Sequence, residues 1–144
     1  MASITRGTDY GILGILYLAT RPLDKVTLLR EVAQAQNVPE TYLAKIFQEL
    51  SKEGLVRSHR GAKGGFSLAR PASDITLRQV IEALQGPISL NRCLDIREGC
   101  PKEEDCPVAE VLRTAQQQLL RSLDAATFDK LAERSSVVQQ ARAR

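Results

Sequence analysis

All of the sulfur available for redox or metal chemistry lies in one run, Cys93-Leu-Asp-Ile-Arg-Glu-Gly-Cys100-Pro-Lys-Glu-Glu-Asp-Cys106, which holds the three cysteines of the 144-residue chain. A thiolate is both a strong nucleophile and a soft metal ligand. Structural zinc normally uses paired Cys-x-x-Cys knuckles and four strong ligands, whereas six and five residues separate these cysteines. A zinc-binding or metal-free thiol-switch protein stays in view, since Lys102 or a helix start beyond Cys106 could activate a thiol. Three converging thiolates exceed what a switch needs, and an iron-sulfur cluster with three cysteines and one weaker ligand suits them better. The lone histidine, His59, lies far from the loop. A carboxylate, water or small molecule is therefore the expected fourth ligand.

A second chemical group is basic. Arg57, His59, Arg60, Lys63 and Arg70 lie between Val56 and Pro71 with no acidic residue among them. The net charge of +3 is too mild to mark a nucleic-acid binder, so the location of the charge matters more than its sum. Gly61, Gly64 and Gly65 in the same stretch would let backbone approach a phosphate or enter a narrow groove, where arginine is favoured. A solvated basic turn would read the same way.

These groups need elements to position them. With 43% hydrophobic but only 4% aromatic residues, the chain suits one small helical core. A first, largely buried helix is predicted from near Ser3–Arg6 to before Pro22, with Ile4, Tyr10, Leu13, Leu16 and Tyr17 around Gly14 at helical spacing. Asp9, early in that helix, reads from the residues alone as a solvated carboxylate complementing the helix dipole. Thr27 should cap a short second helix carrying Leu28, Leu29, Val32 and Ala33 inward and closing at Asn37. Pro39 can then take the first position of a third helix running to about Lys52. In it Leu43, Ile46, Phe47 and Leu50 form one apolar face, leaving Thr41, Ala44, Lys45 and Gln48 outward, where base edges and phosphates could meet them.

After Gly54 the pattern is a β-hairpin with a glycine-rich tip. Helix, turn, helix and basic hairpin in succession make a winged helix-turn-helix, far more specific than its parts. Thr76-Leu-Arg-Gln is a capping box opening another helix that stops at Gly86. A long helix from Pro107, capped by Asp105 or Cys106, repeats Val108, Leu112, Ala115, Leu119 and Leu123 at alternating spacings of four and three, like a coiled-coil seam. The predicted fold is mainly α with a small hairpin wing and a long C-terminal dimerisation helix. Its units are a winged DNA-binding domain over 1–86, a cysteine loop over 87–106, a dimerisation region over 107–133 and a flexible tail over 134–144. The N-terminal apolar run is too short to span a bilayer and has no secretory cleavage site. A cytoplasmic protein with reduced thiols is expected, and the odd cysteine count argues against a disulfide framework. No phosphate-binding glycine loop and no nucleophile beside a base is present, so enzymatic turnover has no candidate machinery.

The run Tyr42-Leu-Ala-Lys-Ile-Phe, the wing Val56-Arg-Ser-His-Arg-Gly-Ala-Lys-Gly-Gly-Phe and the three-cysteine loop before a long helix together resemble the Rrf2 family of bacterial regulators, with its IscR-, NsrR- and RirA-like branches. The resemblance covers residues 1–125. It implies a homodimeric transcription factor, a repressor, whose iron-sulfur cluster senses redox, nitric oxide or iron and controls affinity for double-stranded promoter DNA. On this pattern Cys93, Cys100 and Cys106 match the cluster ligands, Thr41 and Lys45 the major-groove positions, and Arg60 the wing arginine. IscR-like members carry a histidine three residues after the last cysteine, where this chain has Ala109. NsrR-like members use an aspartate from the opposite subunit, and Asp9 matches it. The resemblance thus favours a [4Fe–4S] cluster, with [2Fe–2S] as the alternative. One spacing departs: six residues lie between Cys93 and Cys100, where those branches have five.

Overall fold

The computed structural model describes residues 3–62, 64–91, 94 and 106–143, with side chains as far as Ser135. The elements run α1 (Arg6–Ala19), α2 (Leu29–Gln36), α3 (Glu40–Lys52), β1 (Val56–His59), β2 (Gly65–Leu68), α4 (Leu77–Gln85), α5 (Pro107–Ala125) and α6 (Phe128–Ala143). This is the expected mainly α architecture with an antiparallel two-stranded wing.

α1 starts where the Thr5 hydroxyl accepts the Thr8 N–H at 3.1 Å, a standard way to satisfy a free N–H at a helix start. Its inward face differs from the expected one. Thr8, Gly11, Gly14, Ile15 and Leu18 are buried, whereas Ile4 is exposed and Tyr10, Leu13, Leu16 and Tyr17 are half-buried. The reason is close helix packing: a Cβ added to Gly11 would lie 2.3 Å from Leu84 Cδ1, and one on Gly14 would lie 2.5 Å from Phe47 Cε1. Gly11 therefore faces α4 and Gly14 faces α3, with Ile15 and Leu18 buried beside them. At the far end of α1, Tyr17 donates to Glu31 at 3.0 Å and accepts from Arg21, pinning α1 to α2.

α2 closes at Asn37 in the left-handed conformation, φ 55°, and Pro39 stands one position earlier than expected, at the N-cap of α3. The buried face of α3 is Leu43, Ile46, Phe47 and Leu50, as its period predicts. Thr27 does not cap α2. It is buried and pairs with the wing: its N–H donates to Phe66 O and its carbonyl accepts from Phe66 N–H, both at 2.8 Å. Two backbone bonds along a strand edge satisfy more than the single capping bond available at a helix start. α2 consequently begins one residue later, at Leu29, and Leu28, expected inward, is 55% exposed.

In the hairpin Val56 pairs with Leu68 and His59 with Gly65, so Val56 and Leu68 reach the core while Phe66 stacks edge-on to Phe47 at 5.0 Å. α4 has the predicted capping box between Thr76 and Gln79, and ends at Gly86, whose φ of 85° suits glycine. Cys106 is the N-cap of α5, followed by Pro107 at the first helical position. Arg78 joins α4 to α5 by donating to Asp124 at 2.9 Å, while also holding Glu82 at 3.2 Å. Gln116 of α5 accepts the Leu90 N–H at 2.9 Å.

The C-terminal third corrects one expectation. The long helix from Pro107 is α5, and a further helix follows it, so that residues 134–143, expected as part of a flexible tail, belong to α6. The chain turns because Ala126 O accepts the Leu77 N–H at 2.8 Å and Phe128 N–H donates to Ile75 O at 3.0 Å. This returns Phe128 to the core, where it is fully buried beside Ala132 at 5% exposure. Phe128→Ala should lower stability by about 3–5 kcal/mol, read as a drop in the denaturant midpoint. An unchanged midpoint would show that α6 does not dock.

Candidate functional site

α3 is held by its buried face, so its opposite side is free. Thr41, Lys45 and Gln48 are exposed there, while Ala44 is half-buried and offers only a small edge. Tyr42, not among the expected contact residues, is 43% exposed and packs edge-on to Tyr10 at 5.5 Å. Its spacing of three from Lys45 was the available signal, since such residues are neighbours on a helix surface. A cleft of about 270 Å³ between the first turn of α1 and α3 is lined by Thr5, Thr8, Tyr42, Lys45 and Glu49 among others. Lys45 therefore has a carboxylate on its own helix lining the same cleft.

The wing presents its charges unevenly. Arg57 and Arg60 are exposed, and Gly61 at φ 106° turns the chain just after Arg60. His59 is half-buried, its Nε2 2.8 Å from Ser67 Oγ across the strand pair. Ser67 is itself buried. One ring nitrogen of His59 is thus engaged in holding the hairpin, a role the basic-patch reading did not foresee. Lys63 lies outside the described residues. The hairpin is tied to the body at Gly65, where an added Cβ would sit 2.2 Å from the Thr27 carbonyl oxygen. Only a residue without Cβ lets the Thr27 bridge close.

Of the predicted metal ligands, Cys93 and Cys100 lie outside the described residues. Cys106 is a free, half-buried thiol at the start of α5. The unpaired N–H groups of a helix start suit an anionic sulfur ligand. Asp9 is exposed in the first turn of α1, open to a partner molecule as well as to solvent. Ala109, at the position of the histidine in IscR-like members, is buried at 2% exposure and has no donor atom. Of the expected donor set only Cys106 is thus among the described residues, a thiol at a helix start with no imidazole at the position three residues on, which is compatible with a thiolate ligand. No helix among the described residues is long and apolar enough to cross a membrane.

The family model for Rrf2, described as iron-dependent transcriptional regulator, matches residues 4–134. The chain belongs to the Rrf2 family. Protein aau3 of Rhizobium meliloti (strain 1021) is 34% identical over 129 residues, 89% of this chain and 83% of that protein. CymR, the global cysteine regulator of B. subtilis, is 29% identical and superposes with a TM-score of 0.71 over 92% of this chain and 98% of its own. IscR of T. potens is 26% identical, with a TM-score of 0.72 over 91% of this chain and 87% of its own. The winged helix-turn-helix and C-terminal helix are thus those of Rrf2 transcription regulators, and DNA binding is the activity that the fold serves.

In this Rrf2 protein the Thr27–Phe66 bridge ties the hairpin that carries Arg60 to the helical body. Gly65→Ala should therefore weaken binding to promoter DNA by about tenfold or more while the helical content is kept. Fluorescence anisotropy and circular dichroism check this together, and wild-type affinity would show that the bridge does not set the wing.

Proposed function

We propose that this chain is a homodimeric transcription repressor whose affinity for promoter DNA is set by an iron-sulfur cluster, with redox, nitric oxide or iron status as the signal. The observation that carries the reading is the position of Cys106. Its thiol opens α5, the helix that Gln116 ties to the segment after α4 and Asp124 ties to Arg78 of α4. A change at the thiol end of α5 therefore has a packed route toward the DNA-reading elements. Cys93, Cys100 and Cys106 would hold the cluster, with Asp9 of the partner subunit as the fourth ligand. When bound, such a cluster supplies one-electron chemistry and an iron site reachable by small diatomic molecules.

The residues of the chain do the rest. Val108 and Val111 on α5 are 63% and 68% exposed, an apolar face that a second copy would cover. Pairing two copies would also bring two reading heads to half-sites on one duplex. Thr41, Lys45 and Gln48 would face the major groove, with Ala44 close to the bases. Arg57 and Arg60, with Lys63 at the wing tip, would meet the backbone and minor groove, and His59 would act mainly by bracing the wing. Losing the ligand bond at Asp9 would release α1 relative to the partner and shift the population of DNA-competent dimers.

A cluster-free thiol switch is the second reading, favoured by the place of the half-buried Cys106 thiol at a helix start, where N–H groups stabilise a thiolate. Anaerobic purification with iron and sulfide analysis separates the two. The cluster reading expects a coloured protein whose iron and sulfide fall sharply in Cys106→Ser; a protein still colourless and lacking both after reconstitution decides for the switch. Asp9→Ala should leave the melting curve unchanged but alter the visible spectrum or the nitric-oxide response. Identity in all of these would return Asp9 to the role of a helix-start carboxylate. Arg60→Ala should weaken promoter binding and lower the slope of log affinity against log salt by about one, whereas an unchanged slope would remove Arg60 from the interface.

A further inference from the structure

We propose that a cleft at the base of the wing binds a small zwitterion of the α-amino-acid class, independently of any cluster. The cleft measures about 260 Å³ and is lined by Glu53, Leu55, Arg70, Gln79, Glu82 and Ala83. Pockets for drug-sized ligands begin at roughly 300 Å³, so the space suits a smaller metabolite. Its walls come from three elements: Glu53 is the C-cap of α3, Leu55 and Arg70 flank the hairpin, and Gln79, Glu82 and Ala83 lie on α4.

The charges in this cleft are left open. Arg70 Nε is buried with no hydrogen-bond partner, a state that costs free energy unless something fills it. Among the described residues neither Arg70 nor Glu53 takes part in a salt bridge, although both line the same space. The other two polar walls are occupied: Glu82 accepts from Arg78 at 3.2 Å, and the Gln79 side chain accepts the Thr76 N–H at 3.0 Å. A lone anion such as a phosphate would meet Arg70 but also two carboxylates. A lone cation would meet Glu53 and Glu82 but also the guanidinium. A molecule carrying both charges satisfies each wall, with its carboxylate on the guanidinium fork and its ammonium toward Glu53. Leu55 and Ala83 leave an apolar side for a short side chain.

An occupant here would touch the end of the recognition helix, the root of the wing and α4. Through Arg78 and Asp124 it would also be linked to α5. A ligand bound more tightly by one arrangement of these elements would shift promoter affinity.

Isothermal titration of the full-length protein with pools of the standard amino acids tests this, with acetate, ethylammonium and inorganic phosphate as single-charge probes. At least one amino acid should bind saturably, and the single-charge probes should bind at least about tenfold more weakly. Arg70→Met and Glu53→Gln should each weaken that binding by about tenfold or more. Glu53 is exposed, so Glu53→Gln should melt like the parent and keep its ligand-free promoter affinity, which separates this site from the DNA interface. No saturable heat up to about 10 mM would mean a water-filled cleft. Equal affinity for phosphate would mean a plain anion site, and unchanged binding in both variants would place the ligand elsewhere; any of these overturns the proposal.

Discussion

The packing around Phe47 is the constraint on which the other elements depend. This ring is fully buried, with the gap left by Gly14 of α1 on one side and the edge of Phe66 from the wing on another. Interiors packed this tightly resist even small shifts, so α1, the recognition helix and the wing hold one arrangement. Because Leu43, Ile46, Phe47 and Leu50 point inward, Thr41, Lys45 and Gln48 are left on the outside. The exposed face of α3 is in this sense a by-product of core packing.

A second set of contacts connects that core to the C-terminal helices. Arg78 bridges α4 to α5, and its hydrogen bond to Asp124 raises the guanidinium further above its ordinary pKa. Arg78 is only partly buried, so the pair adds more to registration than to stability. Phe128 supplies the apolar anchor, and backbone bonds at Ile75 and Leu77 fix the turn that delivers it. Together these join the thiol at the head of α5 to the domain that carries the reading elements. The proposed cleft at Arg70 lies on the same path, at the junction of α3, the wing and α4.

The parts of the site differ in how much of their geometry comes from local rules. The glycine-rich turn and the exposed Arg57 and Arg60 follow from composition, since charged side chains on a short two-stranded hairpin and its tip stay in water. The brace between His59 and Ser67 does not, because it joins residues on different strands whose register only the hairpin defines. The same holds for Thr27, whose side chain looked like a cap and whose backbone instead completes the sheet edge.

By itself the sequence determined the order and type of the elements as far as α5. It also determined the inward stripe of α3, the capping box at Thr76, the stop at Gly86 and the helix start at Pro107, because each rests on interactions within a few residues. The basic hairpin with its exposed Arg57 and Arg60 was legible for the same reason. Tertiary structure decided which face of α1 is buried, since hydrophobicity points to Leu13 and Leu16 whereas close approach of helices selects Gly11 and Gly14. It decided the strand role of Thr27 and the return of Phe128 to the core, both of which depend on backbone partners distant in the chain. The cleft that gathers Glu53, Arg70 and Glu82 was invisible for this reason too: no local pattern relates a helix end, a strand exit and a helix middle until folding brings them together.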